Sequence, residues 1–118
     1  MPYVDAFVMP VLRSREADYI AWAKLGAKAW LEHGALSYVE SRAEDVPEGK
    51  VTSFPLAVKL ESTEVLYFAY ATYRDRAHRD QVMGKVMADP RLEAMMKDSP
   101  ANMQRMIWGG FETVVSVP

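Results

Sequence analysis

The chain has 118 residues, half of them hydrophobic, with 14 Lys and Arg against 16 Asp and Glu and a net charge of -2. That is the size of one domain spanning 1–118 with one core, and the charge balance leaves no electrostatic footprint for nucleic acid. The absence of cysteine excludes disulfides, thiolate metal sites and cysteine nucleophiles, and with no signal-peptide pattern or membrane-length apolar run the expected location is cytoplasmic.

Tyr3 to Leu12 reads as a strand with Tyr3, Asp5, Phe7 and Met9 on one face and Val4, Ala6 and Val8 on the other. Both faces are mostly apolar, so both should be covered. Ser14 offers an N-cap, with Glu16 and Asp18 in the first turn of a helix from Arg15 to His33. Its expected stripe is Tyr19, Ala23, Ala27, Trp30 and Leu31, and Gly34 stops it. Ala35 to Arg42 is a second strand with Leu36, Tyr38, Glu40 and Arg42 on one face. A turn follows at Val46 to Lys50. In Val51 to Leu60, Ser53 can cap a short helix with Pro55 in its first turn, while Ala57 to Leu60 also suits a strand. This insert is longer than a hairpin needs.

Glu64 to Tyr73 is a third strand, apolar on both faces. Asp75 caps a helix to about Ala88 with Val82, Met83, Val86 and Met87 as its stripe, and Asp89-Pro90 starts a shorter helix carrying Leu92, Met95 and Met96. The last strand is expected over Arg105 to Val117, with Gly109 and Gly110 marking a bulge or a close backbone approach. This order is the split βαβ, or ferredoxin-like, arrangement: an α+β fold with both main helices on one face of a four-stranded antiparallel sheet. The helix-free face would then expose an aromatic patch drawn from Tyr3, Phe7, Tyr38, Tyr67, Phe68, Tyr70, Trp108 and Phe111. Pairing with a second copy, as a homodimer, is the simplest cover.

Several segments carry a family resemblance: Tyr3 to Val8, Gly34-Ala35-Leu36 with Val39-Glu40, Asp45-Val46-Pro47 with Gly49 to Thr52, Phe54, Ala57-Val58-Lys59, Arg79-Asp80, Asp89-Pro90-Arg91, and Arg105 to Glu112. Together they resemble the YbaA-like family of uncharacterised bacterial proteins, a domain of unknown function. Ala6, where glycine is common, and the loop Ser99 to Gln104 depart from its pattern. The resemblance implies the dimeric α/β-barrel superfamily, in which two ferredoxin-like protomers pair their sheets. Cofactor-independent monooxygenases, small isomerases and ligand-binding domains occur there. It implies no catalytic residue.

Asp5, mid-strand among apolar neighbours, needs a partner such as Arg42 or Arg105, and with Glu40 it is a candidate proton acceptor. Tyr38, Tyr67, Trp108 and Phe111 are candidate walls for a small, partly apolar ligand beside the paired sheets, with Arg42 and Arg105 as orienting groups. The methionines at helical spacing, Met83 with Met87 and Met95 beside Met96, read as core filler, and Trp22 and Trp30 as helix packing. His33 suits a helix C-terminus and His78 an exposed first turn; neither has a second ligand at metal spacing. No phosphate loop, dinucleotide fingerprint or nucleophile elbow is present, so neither metal nor cofactor is expected. The readings that survive are a binding domain, a cofactor-independent enzyme, and an interaction protein using Pro47 to Glu61.

Overall fold

The computed structural model describes residues 2–118. Its elements are β1 (Tyr3–Leu12), α1 (Glu16–Glu32), β2 (Ser37–Arg42), α2 (Phe54–Ala57), β3 (Glu64–Tyr73), α3 (Arg76–Met87), α4 (Pro90–Lys97) and β4 (Ile107–Glu112). The strands form one sheet in the order β2-β3-β1-β4, antiparallel throughout. The ferredoxin-like α+β expectation therefore holds.

Local chemistry explains most boundaries. The Asp75 carboxylate accepts from the His78 N–H at 2.8 Å and starts α3. Asp89 does the same for Arg91 at 2.9 Å, with Pro90 in the first turn of α4. In the insert, Ser53 Oγ accepts from the Leu56 N–H at 3.0 Å, so the short helix, not the strand, forms there. Gly34, at φ 110°, closes α1 in the left-handed region.

Two boundaries differ from expectation. Ser14 does not cap α1, because the chain leaves β1 through a 3-10 turn, Arg13–Arg15, and no side chain accepts from the first turn of the helix. β4 stops at Glu112 rather than Val117 because its ladder runs from Val8↔Ile107 to Tyr3↔Glu112, where β1 begins. Beyond that the Thr113 N–H still donates to the Pro2 carbonyl at 2.9 Å.

The register corrects the faces. Tyr3, Phe7, Tyr38, Tyr67 and Trp108 lie on the helix side of the sheet, packed with or opposite the core beneath α1, α3 and α4. Phe68, Tyr70 and Phe111 lie on the other side with Val4, Val8 and Leu66. Part of that side is already covered: Val58 and Leu60, after α2, pack on Val8, Leu66 and Phe68. The insert thus acts as a partial second layer. Gly110 faces the helix side beside the Tyr3 ring, and a Cβ there would come within 2.7 Å of Tyr3 Cε2, so close approach explains this glycine.

On α1 the buried residues include Tyr19, Ala23, Gly26 and Ala29, while Leu31 is exposed. The stripe runs through Gly26 rather than through Ala27 and Leu31. That shift by one residue decides what lies beneath the helix.

Candidate functional site

Between the helix side of the sheet and α1, α3 and α4 lies a cavity of about 520 Å³. Small residues of one helix make room for it, where α1 presents Ala23 and Gly26. Large residues stand around the space: Phe7 and Met9 from β1, Trp22 and Trp30 from α1, Tyr38 from β2 and Trp108 from β4. The indole N–H of Trp22 donates to the Met95 carbonyl at 3.0 Å and that of Trp30 to the Tyr73 hydroxyl at 3.2 Å, so both rings are held in place.

Seven methionines line this cavity: Met9, Met83, Met87, Met95, Met96, Met103 and Met106. All three tryptophans do as well. The methionines read as filler, and Trp22 and Trp30 read as helix packing, are therefore cavity walls. Thioethers on unbranched stems and indole faces make a wall that can adjust to a ligand's shape. Helical spacing showed which methionines share a face, but the void opposite them is set by residues on other elements.

Three carboxylates line the cavity: Asp5, Glu40 and Glu93, the last exposed and 3.9 Å from Lys97. Asp5 is 1% exposed and receives Arg79 Nη1 on Oδ1 at 2.7 Å. The partner comes from α3, not from Arg42 or Arg105. The Arg79 guanidinium also sits 5.0 Å over the Tyr3 ring and donates from Nε to Asp80 at 2.9 Å. Burial pushes the Asp5 carboxyl above its usual range, while the Tyr73 hydroxyl and Arg79 pull the other way. Glu40, one row along the sheet, is only partly buried. It accepts from the Tyr19 hydroxyl at 2.7 Å and the Tyr38 hydroxyl at 2.9 Å. Burial raises its carboxyl too, with the two hydroxyls opposing.

A raised folded-state pKa means that the native protein keeps this proton longer than the unfolded chain does. Stability contributed by Glu40 should therefore fall as pH rises from about 4.5 through the raised value. Glu40→Gln, which cannot ionise, is expected to lose less stability than wild type between about pH 4.5 and neutrality. Urea unfolding across that range checks the slope; parallel curves for the two proteins would contradict it.

The other sequence candidates divide. Arg42 and Tyr67 border a second cavity of about 400 Å³ beyond the Glu40 and Tyr38 side chains, with Tyr19 and Lys24. There both meet Glu16 Oε1, the Tyr67 hydroxyl at 2.9 Å and Arg42 Nη1 at 3.3 Å. Arg105 reaches neither cavity. It pairs with Glu64, Nη1 to Oε1 at 2.8 Å, and donates to the Val58 and Lys59 carbonyls at 3.2 and 2.9 Å. Arg105 thus pins the insert to the start of β3 and holds the Glu64 carboxyl below its usual range. Phe111 lies on the opposite face of the sheet, 59% exposed.

The histidines are structural. His33 Nε2 meets Asp89 Oδ2 at 2.7 Å, joining the end of α1 to the start of α4. His78 is buried rather than exposed; its Nδ1 accepts from the Arg74 N–H at 3.0 Å, and its ring meets Tyr73 edge-on. Among the described residues no cluster of three His, Cys, Asp or Glu side chains could hold a metal, and no helix is long and apolar enough to cross a membrane.

The fold has solved counterparts. SnoaB, a cofactor-independent oxygenase from Streptomyces nogalater, superposes with a TM-score of 0.64 at 13% identity, covering 98% of this chain and 97% of its own. A dimeric ferredoxin-like protein from an uncultured marine organism gives 0.60 at 13% identity, covering 99% and 100%. At these identities the likeness is one of fold. Sequence similarity is stronger to the uncharacterised protein YbaA of Escherichia coli strain K12, 41% identical over 115 residues and 98% of both chains, with the same figures for its Shigella flexneri counterpart. Residues 2–103 match the model of a family described as a protein of unknown function, and the chain belongs to that family, DUF1428.

Proposed function

We propose that this protein binds a small, largely apolar molecule in the cavity between its sheet and its helices. The supporting observation is the wall itself: seven methionines and three tryptophans around about 520 Å³, with Asp5 and Glu40 as the polar anchors. Such a volume is in the range of small-molecule sites. It lies on the helix side, not beside the paired sheets where the aromatic pattern suggested. Because every tryptophan borders it, ligand entry is expected to give a saturable change in intrinsic fluorescence together with a raised melting temperature. A broad library of neutral and charged aromatic and aliphatic compounds that produces neither signal overturns the proposal.

A second reading is a cofactor-independent enzyme, favoured by the fold shared with SnoaB. Glu40 is then the stronger candidate for proton acceptor, because Asp5 is engaged by Arg79 while Glu40 meets only tyrosine hydroxyls. Turnover of a bound compound that disappears in Glu40→Gln while binding persists would support it.

The homodimer is part of the same proposal, built on the helix-free face that the insert leaves uncovered. Val4, Tyr70, Ile107 and Phe111 form an apolar surface there, and Phe111 and Ile107 are 59% and 44% exposed. The dimeric ferredoxin-like neighbour supports the pairing. Phe111→Arg is expected to yield a folded monomer by analytical ultracentrifugation where wild type sediments as a dimer. A monomeric wild type removes this part of the reading and leaves the cavity untouched.

A further inference from the structure

The three carboxylates of the cavity differ in what balances them, Glu93 having Lys97 at 3.9 Å. Asp5 has Arg79 at 2.7 Å. Glu40 has no ion pair among the described residues. Other basic side chains pair elsewhere: Arg42 with Glu16, Arg79 with Asp5 and Asp80, and Lys97 with Glu93. Lys24 borders the second cavity with Glu40 and makes no ion pair with it. An ionised carboxylate accepts about four hydrogen bonds, and Tyr19 and Tyr38 supply two. Acceptor capacity and an uncompensated charge remain at the edge of a largely apolar space.

Resting on the binding reading above, we infer that the ligand is an apolar ammonium compound, with its charged nitrogen on Glu40 and its body against the tryptophans and methionines. An ammonium supplies both what Glu40 lacks, a positive charge and additional donors. Indole faces attract cations through their quadrupole, and thioethers present no positive charge to repel one. A carboxylate or phosphate ligand would meet Asp5, Glu40 and Glu93 around the same space against one lining cation, Lys97, which is exposed and 3.9 Å from Glu93. Such a ligand is disfavoured. A neutral alcohol would be tolerated, since it can donate one hydrogen bond without adding charge.

Three compounds sharing one apolar body separate these cases: 1-naphthylmethylamine, 1-naphthalenemethanol and 1-naphthoate. Each is titrated at pH 7.5 against the whole protein, with binding read by tryptophan fluorescence and calorimetry. The expected order is amine, then alcohol, then acid. In Glu40→Gln the amine is expected to weaken by about tenfold to a hundredfold, as for loss of a hydrogen bond to a charged group, and to approach the alcohol, which changes little. Naphthoate binding as tightly as the amine overturns the inference and leaves the binding reading intact. An amine affinity unchanged in Glu40→Gln does the same. Failure of all three to bind overturns the inference, while the wider library decides the binding reading separately. The wild-type series keeps the inference falsifiable even if Glu40→Gln does not fold.

Discussion

Arg79→Ala is expected to destabilise the protein by about 3–5 kcal/mol at neutral pH, the cost of leaving a buried charge without its partner. Asp5 is 1% exposed at the centre of β1, and the Arg79 guanidinium is the only cation paired with it among the described residues. The same side chain covers the Tyr3 ring, so packing is lost along with charge. Asp5 has one escape: it can take up a proton. Burial has already raised its carboxyl, and removing Arg79 raises it further, so the gap between variant and wild type should narrow as pH falls. Replacing both partners by Asp5→Leu with Arg79→Met is expected to recover most of the loss, because the pair is then absent rather than broken. Urea midpoints of the three proteins test this. An Arg79→Ala variant as stable as wild type at neutral pH would show that the ion pair does not anchor α3 to the sheet.

Asp5 also shows how far the sequence reached. A carboxylate between Val4 and Ala6 on an apolar strand announces that a partner must exist. It does not say where. Arg42 and Arg105 were plausible because they neighbour strands, but Arg42 turns to Glu16 and Arg105 to Glu64. Arg79 lies in the first turns of α3, and only the docking of that helix on the sheet brings it over Asp5. Strand order, helix caps and the insert's short helix depend on neighbours within a few residues and were legible. Long-range pairing was not.

The faces of the sheet show a different gap. Trp108 and Phe111 are three residues apart in one strand, so they must point to opposite sides, and the period of two already excludes a shared wall. The ladder bears this out, with Trp108 opposite Phe7 and Phe111 opposite Val4. The cavity itself was illegible for a better reason. It is a product of small residues on one element, Ala23 and Gly26 of α1, facing side chains that other elements bring from far along the chain. No local pattern encodes that coincidence. The methionines that read as filler border space because nothing opposite them fills it.

Gly26 is where stability and binding should separate most sharply. A glycine in the interior of a helix costs about 1 kcal/mol relative to alanine, and Gly26 adopts no conformation that requires it, being an interior residue of α1. A Cβ there would meet only Met95 Cε, at 3.8 Å, an ordinary contact. Gly26→Ala is therefore expected to raise the melting temperature by several degrees. Gly26→Leu should keep a gain and place a branched side chain in the cavity, burying apolar surface worth up to about 1.5–3 kcal/mol if it fits. The same change removes the space that a ligand needs. A Gly26→Leu protein that melts higher, keeps its oligomeric state and loses every fluorescence response to compounds that bind wild type would identify glycine here as retained for the cavity. Full binding in that stable variant would place the ligand elsewhere, and with it the role argued for Glu40 and the tryptophans.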